Sequence, residues 1–333
     1  LTLPDEDKIV EIIREEAKDW SDRHVGARVK TDNITLKKLV NNLQGMNASD
    51  VRRLVRGAIW NDGSLNEDDL PRINKAKFAL MDMEGVVSFE QQTEDFSNVG
   101  GLHNLKRWLL TRRDAFNDDD SKLDRPKGIL LLGVQGGGKS LAAKAVAGLW
   151  GLPLMRMDVG ALYNKFHGET ERNLREALKL ADAMSPCVLW LDEIEKGMAQ
   201  DGNDNGVSQR LLGTLLTWMA ERRTRVFIVA TSNDISRLPP ELIRKGRLDE
   251  IFFVDLPEPA VRKDIFAIHL RKRDCPLPNF DLEKLSVATQ GFSGSEIEQA
   301  VIAALYSASS EGKPVSTDIL LREIAATSPL SVV

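Results

Sequence analysis

The sequence predicts an α/β fold, a parallel sheet covered by helices on both faces, with helical regions before and after it. Three observations support this prediction. Strand and helix patterns alternate over residues 128–256, as is typical of parallel sheets. A glycine-rich stretch, Gly133–Ser140, lies between an apolar run and a helix pattern rich in alanine and leucine. The two ends of the chain carry similar helical segments, which indicates an internal repeat.

Composition limits the class of protein. The 333 residues include 29% charged and 42% hydrophobic residues and carry a net charge of −5, as is ordinary for a soluble globular protein. The negative charge argues against nucleic acid or an anionic membrane as a partner. No apolar run approaches the roughly 18 residues of a membrane span. Cys187 and Cys275 form no disulfide framework, which favours a reducing compartment. The four histidines form no zinc pattern.

Residues 1–85 are expected to form a small helical domain. Their segment Leu36–Trp60 aligns at a constant offset with Leu282–Tyr306, and the Gln-Gly pair at Gly45 falls on the pair at Gly291. We interpret residues 1–85 as the helical tail of a preceding domain of the same kind, whose sheet half is absent. Chance similarity between two short helix-turn-helix units is the alternative.

Residues 86–127 are expected to be a linker and a first helix. The segment Phe96–Leu110 carries a Gly-Gly pair before an amphipathic helix pattern. The pair is either a simple turn or a loop that contacts a ligand, and its flanking residues favour the loop.

The stretch Gly133–Ser140 fits the phosphate-loop pattern G-x-x-x-x-G-K-[ST]. A strand, a glycine loop and a helix in that order direct backbone N–H groups and the positive end of a helix dipole at one space, which suits a polyphosphate. Lys139 would reach the β- and γ-phosphates, and the Ser140 hydroxyl would ligate Mg²⁺. The alternative, a glycine turn that binds nothing, does not explain this context.

Two acids end the apolar strand pattern Cys187–Glu193. Ligands of open α/β sheets bind at the carboxyl ends of strands, so Asp192 is expected to hold Mg²⁺ through water. Glu193 is expected to act as the general base that activates the attacking water. Two solvated acids at a strand end are the alternative. Glu195 is interpreted as a surface residue of the next helix.

Three further polar residues follow the later strand patterns. Asn233 ends one strand and could contact the γ-phosphate or orient the water. Arg244 and Arg247 could enter the site of a neighbouring subunit in a head-to-tail ring. The alternatives are a turn asparagine and surface or carboxylate-paired arginines.

Two loops are candidates for partner contacts. Lys165, Phe166 and His167 lie in a loop between a strand and a helix pattern, and an exposed aromatic there suggests a partner. Phe166 buried in the core is an equal alternative. The polar, glycine-rich segment 197–208 is either a second substrate-facing loop or a loop without a function.

These motifs, in this order, resemble the AAA clade of the AAA+ ATPases over residues 94–326. The resemblance implies a phosphate-loop sheet domain over residues 128–257 and a C-terminal helical lid over residues 258–333. It identifies Asn233 as sensor 1, Arg244 and Arg247 as arginine fingers, and Phe166 as a pore-loop residue that grips a translocating substrate. The nucleotide-binding residues that it implies are Val99, Gly100, Gln135, Gly136, Gly137, Gly138, Lys139, Ser140, Leu141, Asp192, Gly294 and Ser295.

Within that clade the wording of the motifs is similar to a group found in cyanobacteria, plastid genomes and other bacteria, whose N-terminal half resembles a degenerate AAA domain. This agrees with the repeat and predicts that the chain is a truncated or processed form. Val134 and Gln135 replace the common Pro-Pro, and Gly137 replaces Thr, which predicts a looser loop and weaker nucleotide binding.

The sequence therefore predicts a Mg²⁺-dependent ATPase that forms a ring and remodels or threads a macromolecular substrate, a protein in our interpretation. Six subunits follow from the resemblance, although the fragment could be monomeric. The cytoplasm is the expected location, or the plastid stroma if a plastid encodes the chain. A nucleotide-gated scaffold with little turnover is the alternative function. A nucleic-acid motor is disfavoured by the acidic charge balance.

Overall fold

The computed structural model describes residues 4–66, 68–79, 87–90, 92–117, 122–160, 170–198, 205–244 and 246–329. The chain divides into two compact units. The first unit comprises Leu1–Gln92, Gly151–Ala230 and Arg237–Asp249, and the second comprises Thr93–Trp150, Thr231–Ser236 and Glu250–Val333.

Six strands form one sheet in the order β1-β3-β4-β5-β2-β6. The strands are β1 Val87–Glu90, β2 Gly128–Gly133, β3 Leu154–Asp158, β4 Cys187–Asp192, β5 Val226–Ser232 and β6 Glu250–Val254. The predicted mixed α/β fold with a mostly parallel sheet is confirmed.

The α-helices within the described residues precede, alternate with and follow these strands along the chain. They are α1 Glu6–Arg23, α2 Asn33–Leu43, α3 Ala48–Asp62, α4 Asp69–Ala79, α5 His103–Asn117, α6 Lys139–Trp150, α7 Thr170–Ala183, α8 Ile194–Met198, α9 Asn205–Glu221, α10 Pro240–Ile243, α11 Pro259–Arg271, α12 Leu282–Ala288, α13 Gly294–Ser310 and α14 Thr317–Ala325. None of the described helices is both long and apolar enough to cross a membrane.

One strand differs from the prediction. The linker assigned to residues 86–127 contains β1, which pairs antiparallel with β3, Val87 opposite Met157 and Glu90 opposite Leu154. A four-residue strand is too short to show a reliable period. An antiparallel edge strand on an otherwise parallel sheet is common in such folds.

The first unit contains the predicted N-terminal helical domain. Helices α1 to α4 enclose an apolar core that includes Ile9, Ile12, Leu39, Val51 and Ile59. Lys77 is completely buried, and its ammonium donates to the carbonyls of Asn42 at 3.0 Å and Gln44 at 2.6 Å. These bonds satisfy carbonyls at the C-terminal end of α2. Burial lowers the pKa of Lys77 to about 8.

The second unit contains β2, β6 and the C-terminal helices. Ile129, Leu130 and Leu131 are completely buried, and β2 pairs parallel with β6. Helices α11 to α14 enclose a separate apolar core around Phe266, Leu285 and Val301.

The two copies of the repeat have matching local structures. Gly45 and Gly291 both have left-handed φ values, 77° and 81°. Met46 and Phe292, which follow them, are both buried, and so are the aligned apolar pairs on the helices. Those pairs are Leu39 with Leu285, Val51 with Ile297, Val55 with Val301, and Ala58 with Ala304. Shared turn geometry and shared burial support the repeat over chance similarity.

Candidate functional site

The glycine loop in the second unit joins β2 to α6 through residues 134–138. Gly136 and Gly138 have φ values of 77° and 98°, which favour glycine. The Gly137 amide donates to the Val134 carbonyl at 3.2 Å. A Cβ at Gly137 would lie 3.2 Å from the carbonyl oxygens of Val134 and Val254. The loop is therefore closely packed at Gly137, where the sequence predicts looseness.

Lys139 begins α6 and is only 8% exposed. Its ammonium donates to the carbonyls of Gly133 and Val134, both at 2.7 Å. The positive charge is therefore held over the loop itself. Of its neighbours, Gln135 and Ser140 are exposed, and Leu141 is half-buried.

The N-terminus of α13 meets the same loop. Ser293 and Glu296 form a capping box that begins this helix. A Cβ at Gly136 would lie 2.6 Å from the Ser295 Oγ and 3.0 Å from the Ser293 Oγ, and Gly294 adjoins the loop as well. Two helix N-termini, those of α6 and α13, therefore direct their positive ends toward one glycine loop, an arrangement that suits an anion.

A small cleft of about 160 Å³ adjoins the loop within the second unit. Its lining includes Gly100, Gly137, Ile265 and Gly294. Gly100 contacts α11 closely, since a Cβ there would lie 2.7 Å from Ile265 Cγ1. Val99 is buried and is not part of the lining. The predicted glycine pair thus packs against α11 beside the loop.

The two acids of the first unit lie at the end of β4, each beside a basic residue. Asp192 is 8% exposed, and its Oδ2 accepts from Arg156 Nη2 at 2.6 Å and Nε at 3.1 Å. Glu193 has an unusual φ of 48° and pairs with Lys196 at 2.6 Å. The hydrogen bond that the Lys196 ammonium donates to the Glu193 carboxylate raises the pKa of Lys196.

Glu195 is buried, so its interpretation as a surface residue is wrong. The reason is that α8 packs closely on the chain after β3. A Cβ at Gly197 would lie only 2.4 Å from Val159 Cγ1, which leaves no space between the two segments.

Arg156 was missed by the sequence reasoning. Its Cα lies opposite Trp190 in the β3–β4 pair, and its guanidinium carbon is 4.9 Å from the centroid of a Trp190 ring. The available signal was one arginine within the otherwise apolar strand pattern Leu154–Met157.

The two candidate finger arginines differ in exposure and in their hydrogen bonds. Arg244 is exposed, whereas Arg247 is half-buried and donates to the Leu216 carbonyl. Asn233 is exposed directly after β5. Lys165, Phe166 and His167 lie outside the described residues, as do residues 199–204 of the second candidate loop.

Within the described residues, no cluster of three or more His, Cys, Asp or Glu side chains could hold a metal. Mg²⁺ usually keeps several waters and takes phosphate oxygens with one or two protein ligands.

A strand, a tight glycine loop, a buried lysine and a helix N-terminus define the class of P-loop proteins. The chain belongs to the AAA family of ATPases. The family model described as ATPase family associated with various cellular activities (AAA) matches residues 129–256. A second model, SpoVK-like AAA ATPase, second domain, matches residues 7–84, in the N-terminal helices.

Several relatives are similar over most of the chain. The AAA domain-containing protein ycf46 of Pyropia yezoensis is 40% identical over 91% of this chain and 63% of its own length. That of Guillardia theta is 39% identical over 89% of this chain and 60% of its own length. The proteasome-activating nucleotidase of Aeropyrum pernix is 33% identical over 84% of this chain and 69% of its own length. The chain thus spans about three fifths of the length of the ycf46 relatives.

Proposed function

We propose that this chain binds ATP with Mg²⁺, hydrolyses it in a ring of subunits, and uses the hydrolysis to remodel or thread a protein substrate. The observation that carries the proposal is the meeting of two helix N-termini at Gly136, with the Lys139 ammonium over the same loop. Backbone amides, helix dipoles and a lysine together supply the positive field that a polyphosphate needs.

Nucleotide binding is assigned to the residues of the predicted motifs. The loop from Gln135 to Leu141 would hold the phosphates, with Gly294 and Ser295 of the lid beside them. Val99 and Gly100 would contact the adenine base of the nucleotide. The position of Gly100 in the lining of the cleft supports this assignment. Ser140 and Asp192 would face the Mg²⁺ ion, whose role is to neutralise the phosphate charge.

Hydrolysis is assigned to Glu193 as general base and Asn233 as the residue that orients water. Glu193 would first leave Lys196. Their side chains are 32% and 57% exposed, so breaking this pair costs little. Arg244 and Arg247 would complete the site of a neighbouring subunit.

The substrate and the domain division are proposed on the relatives and the repeat. The name of the Aeropyrum relative states that it activates a proteasome, which supports a protein substrate. We assign residues 1–85 as a lid-like domain, 86–127 as the linker and first helix, 128–257 as the nucleotide-binding domain and 258–333 as the lid. Lys165, Phe166 and His167 would grip the substrate.

A nucleotide-gated scaffold with little turnover is the second candidate. Two contacts favour it. Glu193 is paired with Lys196, and Arg247 bonds to a carbonyl of its own chain. Both residues would have to leave these partners before hydrolysis.

Two substitutions test the function. Lys139→Ala should abolish nucleotide binding, because it removes the cation held over the loop. Glu193→Gln should bind ATP but release phosphate about 10²–10⁴ times more slowly, since the base is lost. Binding of a fluorescent ATP analogue and steady-state phosphate release are measured over a range of protein concentrations.

Glu176→Gln is the matched control, because Glu176 is a half-buried acid paired with Arg172 on α7, as Glu193 is with Lys196. It should behave as the wild type. Normal turnover by Glu193→Gln would exclude Glu193 as the base. Tight ATP binding with negligible wild-type turnover at every protein concentration would favour the scaffold.

A further inference from the structure

We propose that Arg156 is an internal counter-ion of Asp192 and competes with the divalent cation of the nucleotide for that carboxylate. The proposal rests on the proposed function, in which Asp192 faces the cation. It makes Arg156 a positioning residue that sets how much Mg²⁺ the protein requires.

The strand register brings the three side chains together. Arg156 and Trp190 have facing Cα atoms in the parallel pair of β3 and β4. Alternate residues of a strand share one face, so Asp192 lies on the same face of β4 as Trp190. The Arg156 guanidinium therefore lies over the Trp190 ring, 4.9 Å from a ring centroid, and reaches along the sheet to Asp192.

Both hydrogen bonds from Arg156 are donated to the same oxygen of Asp192. Arg156 Nη2 and Nε both donate to Asp192 Oδ2, at 2.6 Å and 3.1 Å. A cation, or a cation-bound water, that needs this oxygen must displace at least one of those donors. A nearly buried carboxylate requires an opposite charge or strong hydrogen bonds. Arg156 and the cation are therefore alternative partners for Asp192.

A second carboxylate lies close to Arg156 in the sheet. Asp158 lies two residues beyond Arg156 on the same face of β3, is exposed, and its Cα pairs with that of Asp192. The guanidinium can turn toward Asp158 and keep its contact with Trp190. The exchange therefore need not leave a buried charge without a partner.

The test measures the Mg²⁺ concentration at which a fluorescent ATP analogue is half-maximally bound. Arg156→Gln removes the competing charge and should lower that concentration about tenfold. Arg156→Lys keeps the charge but loses the planar fork of donors, and its requirement should lie between those of Arg156→Gln and the wild type. Arg53→Gln is the control, because Arg53 forms an exposed pair with Asp50 on α3; it should leave the requirement unchanged.

An equal or higher Mg²⁺ requirement in Arg156→Gln would overturn the proposal, and so would an equal decrease in Arg53→Gln. Weaker binding of the analogue in EDTA would also overturn it, since Arg156 would then contact the nucleotide itself. If Arg156→Gln does not fold, the Mg²⁺ requirement of Arg156→Lys is compared with that of the wild type instead. A lower requirement supports the proposal, and an equal or higher one overturns it.

Failure of the proposed function would be recognised separately. In that case neither the wild type nor Arg156→Gln binds the analogue. The competition between Arg156 and Mg²⁺ for Asp192 is then tested by thermal unfolding of the wild type and Arg156→Gln. Each is unfolded with and without millimolar MgCl₂, in the absence of nucleotide. A lower melting temperature of Arg156→Gln that Mg²⁺ partly restores supports the counter-ion role, and a loss that Mg²⁺ does not restore overturns it.

Discussion

At the scale of single residues, Gly136 combines two requirements that only glycine meets. Its φ of 77° lies in the left-handed region, which costs other residues about 1–2 kcal/mol. An added Cβ would also lie 2.6 Å from the Ser295 hydroxyl. Gly138 meets only the first requirement, because no atom lies within 4 Å of its Cβ position. A comparison of the two glycines therefore distinguishes the cost of backbone strain, which both positions share, from the cost of a clash with Ser295, which only Gly136 has.

Gly136→Ala should lower the stability of the protein by more than the ~1–2 kcal/mol expected for Gly138→Ala from backbone strain alone. Ser295→Ala removes the clashing hydroxyl, so it should recover part of the loss in Gly136→Ala and none of it in Gly138→Ala. Urea unfolding of the wild type, the three single variants and the two double variants gives the coupling energy of each pair in a double-mutant cycle. Additive effects of Gly136→Ala and Ser295→Ala would show that the lid does not contact the loop there.

At the scale of elements, an ionic cluster joins α1 to α3 in the N-terminal helical domain. Glu16 of α1 is 1% exposed and accepts from Arg52 at 3.0 Å and Arg56 at 2.7 Å. Glu15, beside it, reaches Arg52 at 2.5 Å but is 44% exposed. A buried carboxylate contributes more than an exposed one because water cannot replace its partners.

Glu16→Ala should destabilise the helical domain by about 1–3 kcal/mol, the cost of losing a buried charged hydrogen-bond partner. Glu15→Ala is the matched control and should cost under ~1 kcal/mol. Hydrogen exchange of the α1 and α3 amides in the whole chain measures both. Equal effects of the two substitutions would contradict the burial argument.

At the scale of the whole molecule, the proposed ring depends on arginines that serve a neighbour. Arg244 is exposed, as such a residue must be in an isolated chain. Arg247 instead donates a hydrogen bond to the carbonyl of Leu216, which lies on α9 of the same chain. We therefore expect Arg244 to reach a neighbouring subunit directly, whereas Arg247 holds its own segment in place until it leaves the Leu216 carbonyl.

Arg244→Ala should lower phosphate release by about 10³-fold or more without changing the melting temperature, whereas Arg247→Ala should lower the melting temperature. Mixing Arg244→Ala with Lys139→Ala subunits should restore part of the activity, because each supplies what the other lacks. Phosphate release and calorimetry measure these effects. Full activity of Arg244→Ala on its own would exclude it as a finger.

The sequence by itself determined the glycine loop, the alternating strands and helices, and the helical repeat. Each depends on residues that are contiguous or follow a regular period. Gly133–Ser140 is a short loop whose geometry follows from its glycines and flanking elements. The burial pattern of α2 and α3 follows from apolar spacing alone, which is why both copies of the repeat were recognisable.

Only the tertiary structure decided which distant residues meet. Arg156 and Asp192 are separated by 36 positions, and no local pattern links a lone arginine in one strand to an acid at the end of another. Contacts between distant segments also explain three other features that the sequence did not predict. These are the short strand β1, the burial of Glu195, and the contact of Ser295 with Gly136. Local propensity determines which element a segment forms, whereas packing between elements determines which side chains face each other.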